Sequence, residues 1–144
     1  AVENGVVMEQ VGETQVCNWD TEMAQKAMEA MLAANEGKIE LVLANNDGMA
    51  IGCVAALSNI GYNTGAEGAG FIPVIGVDAT DAAKDAIANG TMSATVLQDG
   101  EAMGNAIAAV CLNMAAGNDA LADTEYVLDD TGVAVRIPYA PYEG

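Results

Sequence analysis

The chain has 144 residues, 52% hydrophobic and 17% charged, so it can bury a core and carries too little charge for a disordered segment. Its 21 acidic residues oppose 4 basic ones, a formal charge of -17, which excludes affinity built on nucleic-acid phosphates or an anionic membrane surface. Histidine is absent, and with it Ser-His-Asp and Cys-His nucleophiles, His-containing zinc sites and histidine proton shuttles.

Along the chain, residues 6–11 and 15–17 (Val6 to Val11, Gln15 to Cys17) read as extended. Asp20 and Thr21 offer a helix cap, and Met23, Ala24, Ala27, Met28, Met31 and Leu32 recur at helical spacing until Asn35 and Gly37. The Met-rich face of that helix reads as core filling. Ile39 to Ala44 is a short apolar run of the kind that forms a strand covered on both faces. Asn45-Asn46-Asp47 then precedes a small-residue helix over 48–60, and Gly61 to Gly70 reads as a solvated, glycine-rich connection. It is no phosphate loop, lacking GxxxxGK[ST] and leading into a strand.

Ile72 to Val77 is a second buried strand, ending in Asp78-Ala79-Thr80. A helix over 81–89, a strand over 93–97 and a helix over 100–116 follow, and residues 126–137 alternate around Asp129 to Gly132 as a hairpin. Arg136 is placed to pair with one of the many acids. Alternating apolar strands and helices predict an α/β, Rossmann-like fold: a mainly parallel sheet flanked by helices.

Three cysteines, Cys17, Cys53 and Cys111, form no CxxC and read as small buried hydrophobes. No apolar run approaches the ~20 residues that a membrane helix requires. Ala1-Val2-Glu3-Asn4 has neither a basic start nor an apolar stretch, so any export signal is expected upstream.

Ligands of open α/β sheets bind beyond the carboxyl ends of the strands. Those ends carry Trp19, Asn45-Asn46-Asp47, Asp78 and Gln98. Planar amides and carboxylates suit vicinal hydroxyls, and an indole face suits the C–H face of a sugar ring. No Lys or Arg stands there for a phosphate or carboxylate. Each residue also has a structural reading: Asn46, Asp47 and Asp78 as caps or turn residues, Trp19 as core.

Asn18-Trp19-Asp20-Thr21, the run from Ile39 to Ala50 (IELVLANNDGMA), Ile72 to Ala79 (IPVIGVDA), Ala94 to Asp99 (ATVLQD) and Val135 to Tyr139 (VRIPY) resemble the glucose/galactose-binding proteins of bacterial sugar ABC transporters. The resemblance implies a type I periplasmic binding protein lobe, a fragment of a two-lobed fold whose hinge closes on its ligand. Residues 1–98 would be part of the C-terminal sugar-binding lobe, lacking its first strand and helix. Residues 99–136 would return to the N-terminal lobe, and 137–144 would cross the hinge again. An isolated chain of this kind would expose apolar surface that the missing N-terminal half of the same protein covers.

By the same resemblance Trp19 stacks on the pyranose and Asn46 and Asp78 hold its hydroxyls. Gln98 stands where the family has Asn and reaches one methylene further. Glu40 matches a glutamate that completes a calcium site, whose other ligands would lie outside this chain; one carboxylate cannot hold Ca2+ alone. The implied function is a solute-binding component, not an enzyme, for a hexose such as galactose or glucose. Its partners would be the monosaccharide and an ABC permease, its place the periplasm or a lipoprotein-tethered cell surface.

Two alternatives remain open at this point. One is the sugar-sensing effector domain of a transcription regulator, which requires a DNA-binding module upstream. The other is Mg2+-dependent phosphoryl transfer at Asp47 and Asp78, which would need a cation for the phosphate, whereas Lys26, Lys38, Lys84 and Arg136 stand at none of the strand ends.

Overall fold

The computed structural model describes residues 5–144; the opening segment Ala1–Asn4, considered above for a leader, lies outside them. Four helices and four strands follow one another as α1 (Thr21–Ala34), β1 (Val42–Leu43), α2 (Asp47–Ser58), β2 (Val74–Asp78), α3 (Asp81–Ala88), β3 (Ala94–Leu97), α4 (Gly100–Ala115) and β4 (Ala140–Tyr142). The strands form one sheet in the order β1-β2-β3-β4. β1 and β2 run parallel, with Val42 opposite Val74 and Leu43 opposite Ile75. This is the α/β, Rossmann-like arrangement expected from the alternating pattern.

The helices start where the sequence offers caps. Asp20 accepts from the Met23 amide at 2.7 Å, Thr80 from Ala83 at 3.3 Å and Asp99 from Ala102 at 2.9 Å. The cap of α2 is Asn46, whose side chain accepts from Met49 at 2.9 Å, so the helix begins at Asp47, one residue before the expected start. Within α2, Ala50, Gly52, Cys53, Val54, Ala56 and Leu57 are all buried, which makes it the central helix. Gly52 permits the approach of α1, because a Cβ there would run into the Thr21 carbonyl.

The core joins α1, α2, β2 and α3 through Met28, Ala50, Leu57, Val74, Ala83 and Met92. Burying Leu57 alone contributes about 1.5–3 kcal/mol. Of the Met-rich face of α1, Met28 fills the core as expected, whereas Met23 is exposed.

Several expectations are corrected. The apolar run at 39–44 pairs only over Val42–Leu43, and Leu41 and Leu43 are exposed, so this strand is not covered on both faces. β1 has a single neighbour, β2, and a ladder extends only as far as its partner. Residues 6–11 and 15–17 form no strand, and Val7 is 93% exposed. The expected hairpin is reduced to one antiparallel bridge, Leu128 to Val135, with the Asp129 amide donating to Ala134 at 2.7 Å.

The glycine-rich connection is not merely solvated. Asn63 is 1% exposed and accepts from Ile72 N while donating to Ile72 O and Thr91 O, pinning the loop to the body of the fold. Cys17 and Cys53 are buried, and burial, followed by the neighbouring Cys17, pushes the Cys53 thiol up to about 11. Cys111 is exposed on α4 rather than buried.

The chain divides into two compact units, one running to Val96 and resuming at Pro141–Gly144, the other Leu97–Ala140. In the first, the Lys84 ammonium lies 5.7 Å from the Tyr142 ring centre, fastening the C-terminal residues to α3. In the second, Arg136 donates to Asp129 at 2.7 Å, the acid pairing expected of it. Ile107, Leu112 and Met114 of α4 are exposed. Among the described residues no helix is long and apolar enough to cross a membrane.

Candidate ligand-binding site

Trp19 owes its position to a tight turn. The Asp20 amide donates to the Cys17 carbonyl at 2.8 Å, and both central residues have positive φ, 49° at Asn18 and 65° at Trp19. That pattern suits Asn and Gly, not a bulky aromatic. The turn leaves the indole 67% exposed. Packing does not hold this strained, exposed aromatic in place.

The start of α2 adjoins this turn. A Cβ on Gly48 would stand 3.7 Å from the Trp19 carbonyl, 3.6 Å from Asn46 Nδ2 and 3.3 Å from Thr21 Oγ1. Gly48 therefore lets the tryptophan turn and the Asn46 amide come together. Asn46, half-buried, commits its oxygen to the cap and leaves its nitrogen free of protein partners.

Asp78 ends β2 with φ 120°, followed by Ala79 at 57°. Two successive non-glycine residues with positive φ cost about 1–3 kcal/mol each. Burial, then the Asp47 charge, raise the Asp78 pKa, while the Asp47 backbone N–H opposes them. That N–H belongs to the first residue of α2, so the carboxylate of Asp78 already faces the positive end of the helix.

Asp47 is the acid beneath them, fully buried. Its Oδ2 accepts from the Thr80 amide at 2.7 Å and the Thr80 hydroxyl at 3.1 Å, and its Oδ1 accepts from the Thr95 hydroxyl. Thr95 Oγ1 in turn accepts from the Ala79 amide at 3.3 Å. Asp47 is thus neither the cap of α2 nor a Mg2+ ligand, since both oxygens are enclosed and occupied. Thr80 and Thr95 went unrecognised in the sequence; the available signal was one hydroxyl in the apolar strand ATVL, a group that is usually partnered when buried.

The structure brings Trp19, Asn46 and Asp78 to one end of the sheet in the first unit. Gln98 belongs to the second unit, where its Nε2 donates to the Tyr139 hydroxyl at 3.0 Å. It borders a shallow cavity of about 190 Å³ with Asp99, Met103, Arg136, Pro138 and Tyr139. Glu40 is exposed ahead of β1, and among the described residues no three His, Cys, Asp or Glu side chains gather as metal ligands. The described residues do not fit a calcium ion.

A profile of the periplasmic binding protein domain matches residues 3–119. The chain belongs to the periplasmic binding protein family. It is 37% identical over 122 residues to the D-galactose/methyl-galactoside binding periplasmic protein MglB of Haemophilus influenzae, covering 84% of this chain and 34% of that protein. It is 36% identical over 114 residues to the D-xylose-binding periplasmic protein of Escherichia coli, covering 79% and 33%. An ABC transporter solute binding protein from Bacillus halodurans with bound myo-inositol superposes with a TM-score of 0.68 at 31% identity, covering 87% of this chain and 37% of that one.

This periplasmic binding protein chain thus spans about a third of the length of the relatives it matches. Those relatives are binding proteins, not enzymes, which leaves phosphoryl transfer without support from either the family or the enclosed Asp47.

Proposed function

We propose that this chain carries part of the sugar site of an ABC-transporter solute-binding protein. The carrying observation is the exposed, backbone-strained Trp19 beside the Asn46 amide, at the same end of the sheet as Asp78. Trp19 offers a face to the pyranose, the Asn46 amide donates to a hydroxyl, and the Asp78 carboxylate accepts from one. The preferred ligand is a hexose, galactose or glucose, because the relative that binds D-galactose/methyl-galactoside matches over most of the chain.

Residues 1–98 form part of the C-terminal lobe and residues 99–136 part of the N-terminal lobe of a hinged protein, with 137–144 crossing the hinge again. Sugar capture closes the hinge, and the closed form docks on an ABC permease outside the cytoplasmic membrane.

Trp19 is the only tryptophan among these 144 residues, and the part of the fluorescence lost in Trp19→Phe isolates its signal. Titration of the complete polypeptide carrying this chain with D-galactose and D-glucose is expected to give a saturable change. A flat response to both, with D-xylose and myo-inositol as further probes, overturns the sugar site.

A further inference from the structure

We propose that Asp47 is a positioning residue whose buried carboxylate, acting through Thr80 and Thr95, locks the left-handed Asp78–Ala79 backbone and so fixes the direction of the Asp78 carboxylate. The inference rests on the reading of Asp78 as a hydroxyl acceptor.

A buried carboxylate is retained only where something compensates its lost hydration. No Lys or Arg pairs with Asp47 among the described residues, and the cap of α2 is made by its neighbour Asn46. Its compensation is hydrogen bonding, and the donors are concentrated around Asp78. The Thr80 amide and hydroxyl follow the left-handed pair directly, while the Thr95 hydroxyl donates to Asp47 and accepts from Ala79. Both amides that follow Asp78 are thereby held, one by Asp47 itself and one through Thr95.

The φ values of 120° and 57° are conformations that a free Asp-Ala segment would leave. Gly76 on the same strand keeps the space open, since any side chain there would overlap Asp47 Oδ1. Burial raises the Asp78 pKa most; the Asp47 charge adds to that rise and its backbone N–H opposes it. Of the groups around Asp78 in this network, Asp47 is the one carboxylate; Thr80 and Thr95 bring hydroxyls.

Three variants of the complete polypeptide test this. Thr95→Val removes the relay at nearly constant volume, Thr95→Ser restores it, and Asp47→Asn keeps the shape without the charge. Galactose affinity is expected to fall about tenfold or more in Thr95→Val and to stay within about threefold of wild type in Thr95→Ser. In 13C carboxyl titrations the Asp78 midpoint is expected to fall in Asp47→Asn, because a like charge has gone. A folded Thr95→Val with wild-type affinity, or an Asp78 midpoint unmoved in Asp47→Asn, overturns the proposal. Should Thr95→Val not fold, Asp47→Asn decides by the carboxyl titration. If the wild-type protein binds no sugar, the sugar reading fails by itself, while the carboxyl titration still decides the role of Asp47.

Discussion

Gly76 and Asp47 share one space: the point where a side chain on Gly76 would begin lies inside van der Waals contact with Asp47 Oδ1. Met92 Cε and Ala50 Cβ close the same space, at 2.9 and 3.2 Å from that point. Gly76→Ala is therefore expected to lower stability by about 1–3 kcal/mol, the usual range for overpacking. Urea denaturation measures it; a midpoint equal to wild type refutes the contact.

Trp19 is largely exposed, so its loss should spare the fold and remove the function. Trp19→Ala is expected to weaken galactose binding by about tenfold or more while leaving the thermal midpoint nearly unchanged. Calorimetric titration and a melting curve together check this. Wild-type affinity would remove the ring from the site.

The Asp78 pKa gives a pH dependence with a definite sign. A raised carboxyl takes up its proton earlier on acidification, so sugar affinity should decline around a midpoint above the usual ~3.9 for aspartate. The stability contribution runs the other way. The folded state holds this proton more tightly than the unfolded chain, so Asp78 opposes folding at neutral pH and ceases to do so as the pH falls through the raised pKa. Affinity measured from pH 7 downward tests the first statement, with Asp78→Asn expected to abolish this limb.

The cysteines should separate by reactivity. Cys111 is exposed, whereas Cys17 and Cys53 are buried and Cys53 titrates at about 11. A thiol reagent at pH 7.5 is expected to label Cys111 promptly and the other two only on unfolding. Rapid labelling of Cys53 in the native protein would contradict its burial.

Asn63 anchors the glycine-rich connection from a left-handed backbone position, φ 51°. Asn63→Ala leaves Ile72 N, Ile72 O and Thr91 O without these partners and is expected to cost about 2–4 kcal/mol. Thermal unfolding decides it, an unchanged midpoint being the contrary result.

The helices were legible because their signals are local. Asp20 caps α1 where expected, and apolar spacing sets the buried faces. Asn46 and Asp47 show the limit of such reasoning. Both are good caps, and only the arrival of Thr80 and Thr95 from 33 and 48 residues away decides which of them goes inside. Asn63 was hidden for the same reason, its partners lying 9 and 28 residues along the chain. Strand lengths at 39–44 and 6–17 could not be read, because an apolar run becomes a strand only beside another. The site residues Trp19, Asn46 and Asp78 were named from the strand ends and the family resemblance, while the backbone strain that singles out two of them leaves no trace in composition.

The capping bond of Asn46 also settles which way its amide faces. With the carbonyl oxygen held by Met49, the rim beside Trp19 presents an obligate donor at Asn46 and, in ionised Asp78, an obligate acceptor. A hydroxyl can answer either partner, but a methyl ether can answer only the donor. On the proposed reading the same pair would grade sugars by where they are methylated: alkylation at the oxygen facing Asp78 would forfeit the contact, and alkylation at the oxygen facing Asn46 would retain it.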